Sequence, residues 1–135
     1  MKQLSIPTKN FRRPFPLPPN GGTLDLSTVG LGTYVGKPDD ADDFDCYIAA
    51  KYLIRSGAVN FVDTAINYRC QKAERTIGAV LNTLLSGDFR TFDGHKIERD
   101  EIFVASKSGY IPDDADNGIP ASVLVDQLIE QGKIT

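Results

Sequence analysis

Short apolar runs alternate with segments of helical period along most of this chain, and that alternation limits its fold more than any other feature. Val29-Gly-Leu-Gly-Thr33, Val59 to Val62 and Ile102 to Ser106 are short, apolar and bounded by turn residues, as buried strands are. Three stretches predicted as helices come between and after them. Asp43 to Arg55 puts Phe44, Tyr47, Ile48, Leu53 and Ile54 on its buried side and ends at Gly57. Gln71 to Leu85 carries Ala73, Ile77, Val80, Leu81 and Leu84 on one stripe. Pro120 opens a last helix containing Val123, Leu124 and Leu128, and Gly132 closes it. Strands that alternate with helices in this way run parallel and are joined by helical crossovers. The expected fold class is α/β.

Ahead of this region, Met1 to Pro19 is rich in proline and expected to be extended. Asn20-Gly21-Gly22 is a turn signal between Phe15-Pro-Leu-Pro18 and Thr23-Leu-Asp-Leu26, which predicts a small hairpin. The expected organisation is a tail and hairpin over 1–22 and one α/β domain over 23–135. With 135 residues, 41% hydrophobic and 24% charged, the chain can bury a core of its own. A net charge of −3 gives no electrostatic reason to expect nucleic acid or an anionic membrane as partner. No run of about 18 apolar residues suits a membrane span. The first 24 residues hold Lys2, Lys9, Arg12 and Arg13 and no acid, a bias shared with organelle-targeting segments. Pro7, Pro14, Pro16, Pro18 and Pro19 spoil the amphipathic helix that such a segment needs. Cys46 and Cys70 imply no disulfide framework and fit a reducing compartment, so the cytoplasm is the expected location. No metal-ligand spacing occurs, and the single histidine, His95, reads as a surface loop residue.

The polar residues at the strand ends carry the chemistry. Gly30-Leu-Gly32-Thr-Tyr-Val-Gly36 is one residue longer than a dinucleotide fingerprint and runs into Lys37-Pro-Asp-Asp40 rather than a helix start. It reads as a tight turn at a strand end, and a nucleotide-binding βαβ domain of another kind would rest on it alone. Asp63, Tyr68 and Lys107 each have an ordinary reading: a cap, a packed aromatic and a solvated charge. Together they would meet on one face, because the carboxyl ends of parallel strands converge. There the ammonium would favour phenolate and the carboxylate would hold the ammonium, forming a tuned acid. Cys70 stands beside Arg69, whose charge could lower a thiol pKa; with no histidine nearby, it reads as a small half-buried side chain.

Gly30-Leu-Gly-Thr-Tyr34, Asn60-Phe-Val-Asp-Thr-Ala-Ile-Asn-Tyr68, Glu74 with Ile77-Gly78, and Glu101-Ile-Phe-Val-Ala-Ser-Lys107 together resemble the aldo-keto reductases. The resemblance spans Thr28 to Lys107 and implies the amino-terminal part of a (β/α)8 barrel, about three βα units after the hairpin. It implies an NADPH-dependent reductase of aldehydes or ketones, with NADH as the alternative cofactor and a small carbonyl compound as substrate. By resemblance, Tyr68 is the general acid, Lys107 and Asp63 tune it, and Gly32, Thr33, Tyr34 and Asp63 line the nicotinamide ribose. Arg69 departs from the family, which usually has glycine there, and Ala73 replaces a common serine. The Ser86 to Arg99 loop lengthens the path to Lys107. The family's tetrad histidine follows the lysine, so His95 is not its equivalent. A full barrel takes about 250 residues, so this chain alone is expected to be inactive and to need a partner chain or a carboxy-terminal half. The alternative is a non-catalytic barrel remnant acting as a binding or assembly module.

Overall fold

The computed structural model describes residues 12–17 and 21–135. Of the tail expected over Met1 to Pro19, residues 1–11, 18 and 19 lie outside them, as does Asn20 of the expected turn. The hairpin forms: β1 (Arg12–Pro16) pairs antiparallel with β2 (Thr23–Ser27), from Arg12 opposite Ser27 to Pro16 opposite Thr23. It is tied to the rest of the chain through Asn60, which is 5% exposed. The Asn60 amide donates to the Asp25 and Glu101 carbonyls at 2.8 and 3.1 Å and accepts from the Ser27 N–H at 2.7 Å.

Three short parallel strands make the second sheet, in the order β3 (Leu31–Gly32), β4 (Phe61–Asp63) and β5 (Phe103–Ala105). Leu31, Val62 and Val104 lie opposite one another across it, as do Gly32, Asp63 and Ala105. Side chains alternate faces along a strand, so the two rows point to opposite sides. The first row joins the core with Ala50, Ile54, Ile77, Val80, Leu84, Ile97 and Ile102. The second face carries Asp63 with the stacked rings of Phe61 and Phe103, whose centres are 5.6 Å apart. Phe103 remains 37% exposed.

Helix α1 (Asp40–Arg55) begins before the expected Asp43. Asp39 caps it by accepting from the Asp42 N–H, and Asp40, Asp42 and Asp43 sit where the helix dipole favours negative charge. Asp40 to Asp42, expected to precede the helix, thus form its start. The inward side also differs from expectation, since Phe44 is 64% and Ile48 41% exposed, whereas Ala50 and Ile54 are buried. The stripe facing inward is Asp43, Tyr47, Ala50 and Ile54, so a carboxylate heads it rather than Phe44.

Helix α2 (Lys72–Leu84) follows the predicted stripe, burying Ala73, Ile77, Val80 and Leu84. Tyr47 and Thr83 join the two helices through their hydroxyls at 2.8 Å. The long polar loop after α2 folds back through an Arg90–Lys96 bridge and delivers Ile97 to the core. Helix α3 (Ala121–Glu130) starts one residue after Pro120 and buries none of its residues. The described residues form a mixed α/β structure with two small open sheets.

Candidate active site at the strand ends

Asp63 is the last residue of β4, and Lys107 follows β5 by two residues. The ammonium of Lys107 bonds both Asp63 oxygens at 2.7 and 2.8 Å and donates to the Thr64 carbonyl at 3.1 Å. It also lies 4.7 Å from the centre of the Tyr68 ring. The three residues picked from sequence are therefore brought together at the carboxyl ends of the parallel strands. Asp63 first, and the Tyr68 hydroxyl second, hold the Lys107 ammonium above its ordinary pKa. Lys107 and Asp63 are roughly half exposed, at 49 and 38% of their side chains, so water screens the pair and it adds little stability. The pair places and orients charge at the site.

The β3 end adds unequal parts. Thr33 is 2% exposed, and its hydroxyl donates inward to the Asp63 carbonyl at 3.1 Å and shares a hydrogen bond of 2.9 Å with the Thr64 hydroxyl. Its side chain is an internal strut, and only its backbone carbonyl is left for a ligand. Tyr34 is 69% exposed and meets Tyr68 edge to face, with ring centres 5.1 Å apart. A Cβ built at Gly32 would meet nothing within 4 Å, so the backbone there is open to approach. At Gly30, by contrast, a Cβ would fall 2.4 Å from Phe61 Cδ1.

Tyr68 precedes a turn that the sequence only hinted at. Arg69, Cys70 and Gln71 have φ of 48, 52 and 75°, three successive non-glycine residues in the left-handed region. Each costs about 1–2 kcal/mol there. A glycine at position 69 would relieve part of that strain. Around the turn stands a cluster of charges that sequence reading missed. Arg69 Nη1 is 2.7 Å from Asp43 Oδ1, with only 1% of the arginine side chain exposed. The contact is one of charge, because no hydrogen bond of good geometry joins the two groups. Lys72 reaches Asp116, Asp40 and Asp43 at 2.6, 3.0 and 3.1 Å. Arg75 grips Asp114 at 2.8 and 3.0 Å and also bonds Asp116. These carboxylates lift Lys72 and Arg75 well above their ordinary pKa values. Arg75, then Asn117, holds the Asp114 carboxyl far below the usual carboxylate range, and Lys72, then Arg75, lowers Asp116.

Arg69 turns toward α1 and Cys46 rather than toward Cys70, the expected neighbour. Burial raises the Cys46 thiol pKa, and Arg69 opposes that rise in part. Three carboxylates stand in the first turn of α1, so that helix start is poorly suited to the pyrophosphate of a dinucleotide fingerprint.

A cleft of about 570 Å³ lies at the other end of the strands, among Ile54, Val59, Asn60, His95, Ile97 and Glu101. Several of its polar groups are already paired: His95 Nε2 lies 2.9 Å from both Glu101 oxygens, and Asn60 is spent on the hairpin. We place the candidate site at the strand carboxyl ends, where charge converges without being consumed. Among the described residues, no group of three or more His, Cys, Asp and Glu side chains could hold a metal ion, and no helix is long and apolar enough to cross a membrane. Compared with known proteins, the chain matches no family model and no curated protein at a significant level.

Proposed function

We propose that this chain carries the proton-donating side of a carbonyl reductase site of the aldo-keto reductase kind, on the first strands of a (β/α)8 barrel. One observation carries the reading: the Lys107 ammonium, clamped by both oxygens of Asp63, sits 4.7 Å from the centre of the Tyr68 ring. A phenol that donates its proton to a carbonyl oxygen builds negative charge, and a fixed ammonium beside it stabilises that charge as it develops. Tyr68 would act as the acid. Lys107 would supply the field, and Asp63 would keep Lys107 in place.

The residues present suit the nicotinamide ribose end of NADPH, or of NADH. Asp63 retains acceptor capacity beyond its bonds to Lys107, Gly32 leaves its backbone open, and Tyr34 offers an exposed ring. Together with the Thr33 carbonyl, these groups would hold the cofactor. When bound, a reduced nicotinamide supplies the hydride for the carbonyl carbon. A smaller cleft of about 290 Å³, lined by Ile66, Tyr110, Ile111, Leu124 and Leu128, borders the two segments that present Tyr68 and Lys107. It would seat the apolar part of a small aldehyde or ketone.

The test is Tyr68→Phe in a protein that contains this chain and reduces an aldehyde with NADPH. We expect kcat to fall about 10²–10⁴-fold while cofactor affinity holds. An unchanged kcat would remove Tyr68 from the role.

A second reading, a non-catalytic binding or assembly module, is favoured by the open sheet face around Phe61 and Phe103 and by the shallow seating of α3. NADPH titrated into the chain separates the two. Saturable binding that Asp63→Asn weakens supports the reductase, and no binding by any protein containing the chain supports the module.

A further inference from the structure

We infer that Arg69 is a positioning residue for Tyr68: its buried contact with Asp43 holds the left-handed turn that sets the phenol beside Lys107. The inference rests on the reading of Tyr68 as the proton donor. Arg69 follows Tyr68 directly, and its φ of 48° belongs to a region that favours glycine. A long charged side chain has nothing to gain from that backbone unless its far end is fixed. It is fixed here, with 1% of the side chain exposed and the guanidinium 2.7 Å from Asp43 on α1.

The turn is also held at its other points. The Lys72 N–H donates to the Arg69 carbonyl at 3.1 Å, the Ala73 N–H to the Tyr68 carbonyl at 3.3 Å, and the Ala115 N–H to the Cys70 carbonyl at 3.3 Å. Asp43 serves two cations, because Lys72 reaches its second oxygen at 3.1 Å. The packing is close: a Cβ at Gly36 would stand 3.4 Å from Arg69 Cδ. Loss of the Arg69 charge would leave three left-handed residues without their anchor to α1. The turn would then relax toward ordinary backbone and carry Tyr68 away from Lys107.

The experiment uses the full chain with ring-labelled tyrosine and follows the Tyr68 resonances, which its edge contact with Tyr34 displaces by ring current. We expect Arg69→Met and Asp43→Asn to collapse that displacement while the Tyr47 and Tyr52 signals hold, and Arg69→Lys to restore most of it. Tyr68 signals unmoved in a folded Arg69→Met overturn the inference. Should that variant not fold, Asp43→Asn decides by the same criterion.

In a protein that contains the chain and reduces benzaldehyde with NADPH, Arg69→Met lowers kcat about 100-fold with KM for NADPH unchanged, the cost of roughly 1 Å of misplacement. An unchanged kcat counts against Arg69. Absence of reduction in the wild type sinks the reductase reading instead and leaves the tyrosine signals to decide the positioning.

Discussion

Gly30 and Phe61 illustrate how tightly single residues are set around the strand ends. A Cβ at position 30 would lie 2.4 Å from a ring carbon of Phe61, and that ring is stacked on Phe103 and cannot easily step aside. Gly30→Ala should therefore destabilise the fold by about 1–3 kcal/mol, the usual cost of overpacking, as read from urea unfolding. A variant as stable as the wild type would mean that the ring stack is loose. Asp63 and Lys107 could be found from sequence because each stands at the end of an apolar run, where a polar group is costly without a task or water, and Tyr68 through the resemblance of the motif that it closes. Asn60 belongs to the same motif, yet its part in fastening the hairpin could not be read there. Its partners are backbone groups of Asp25, Ser27 and Glu101, and backbone leaves no mark in side-chain identity.

At the level of elements, the stripe on α2 was legible because Ala73, Ile77, Val80 and Leu84 are all buried with the spacing that a helix requires. The stripe on α1 was misread because its inward line runs through Asp43 and Ala50, one charged and one small, while Phe44 points to solvent. The two helices predict opposite outcomes for truncations of similar size. Leu84→Ala should cost about 2–5 kcal/mol, since Leu84 is wholly buried. Phe44→Ala should stay within about 0.5 kcal/mol, as exposed positions do. Chemical denaturation of both variants checks the assignment, and a large loss at Phe44 would refute the orientation of α1.

The charge cluster belongs to the whole molecule, since it joins the start of α1, the start of α2 and the loop that carries Asp114 and Asp116. It was illegible in sequence because its members lie far apart and each looks like a solvated charge. Asp114 and Asp116 have depressed carboxyl pKa values in the folded chain. Their contribution is therefore present above the unfolded value of about 3.9 and is lost as pH falls toward the folded values. Glu101 and Asp93 are depressed as well and add to the same limb. The thermal midpoint should be flat above about pH 5 and fall steeply below about pH 4. Asp114→Asn should lower the plateau and flatten the descent. An acid limb of unchanged slope in Asp114→Asn would show that Arg75 gains nothing from the charge.

That cluster also has a consequence in time. Loops of such length close slowly, because their entropy must be lost before any contact repays it. The turn after Tyr68 is tied to Asp43 from upstream and, through the Cys70 carbonyl, to Ala115 from downstream, and it settles once both have arrived. The α1–α2 pair and the β4–β5 strands can assemble before then, so we expect the geometry around the phenol to be completed last, after the scaffold that displays it.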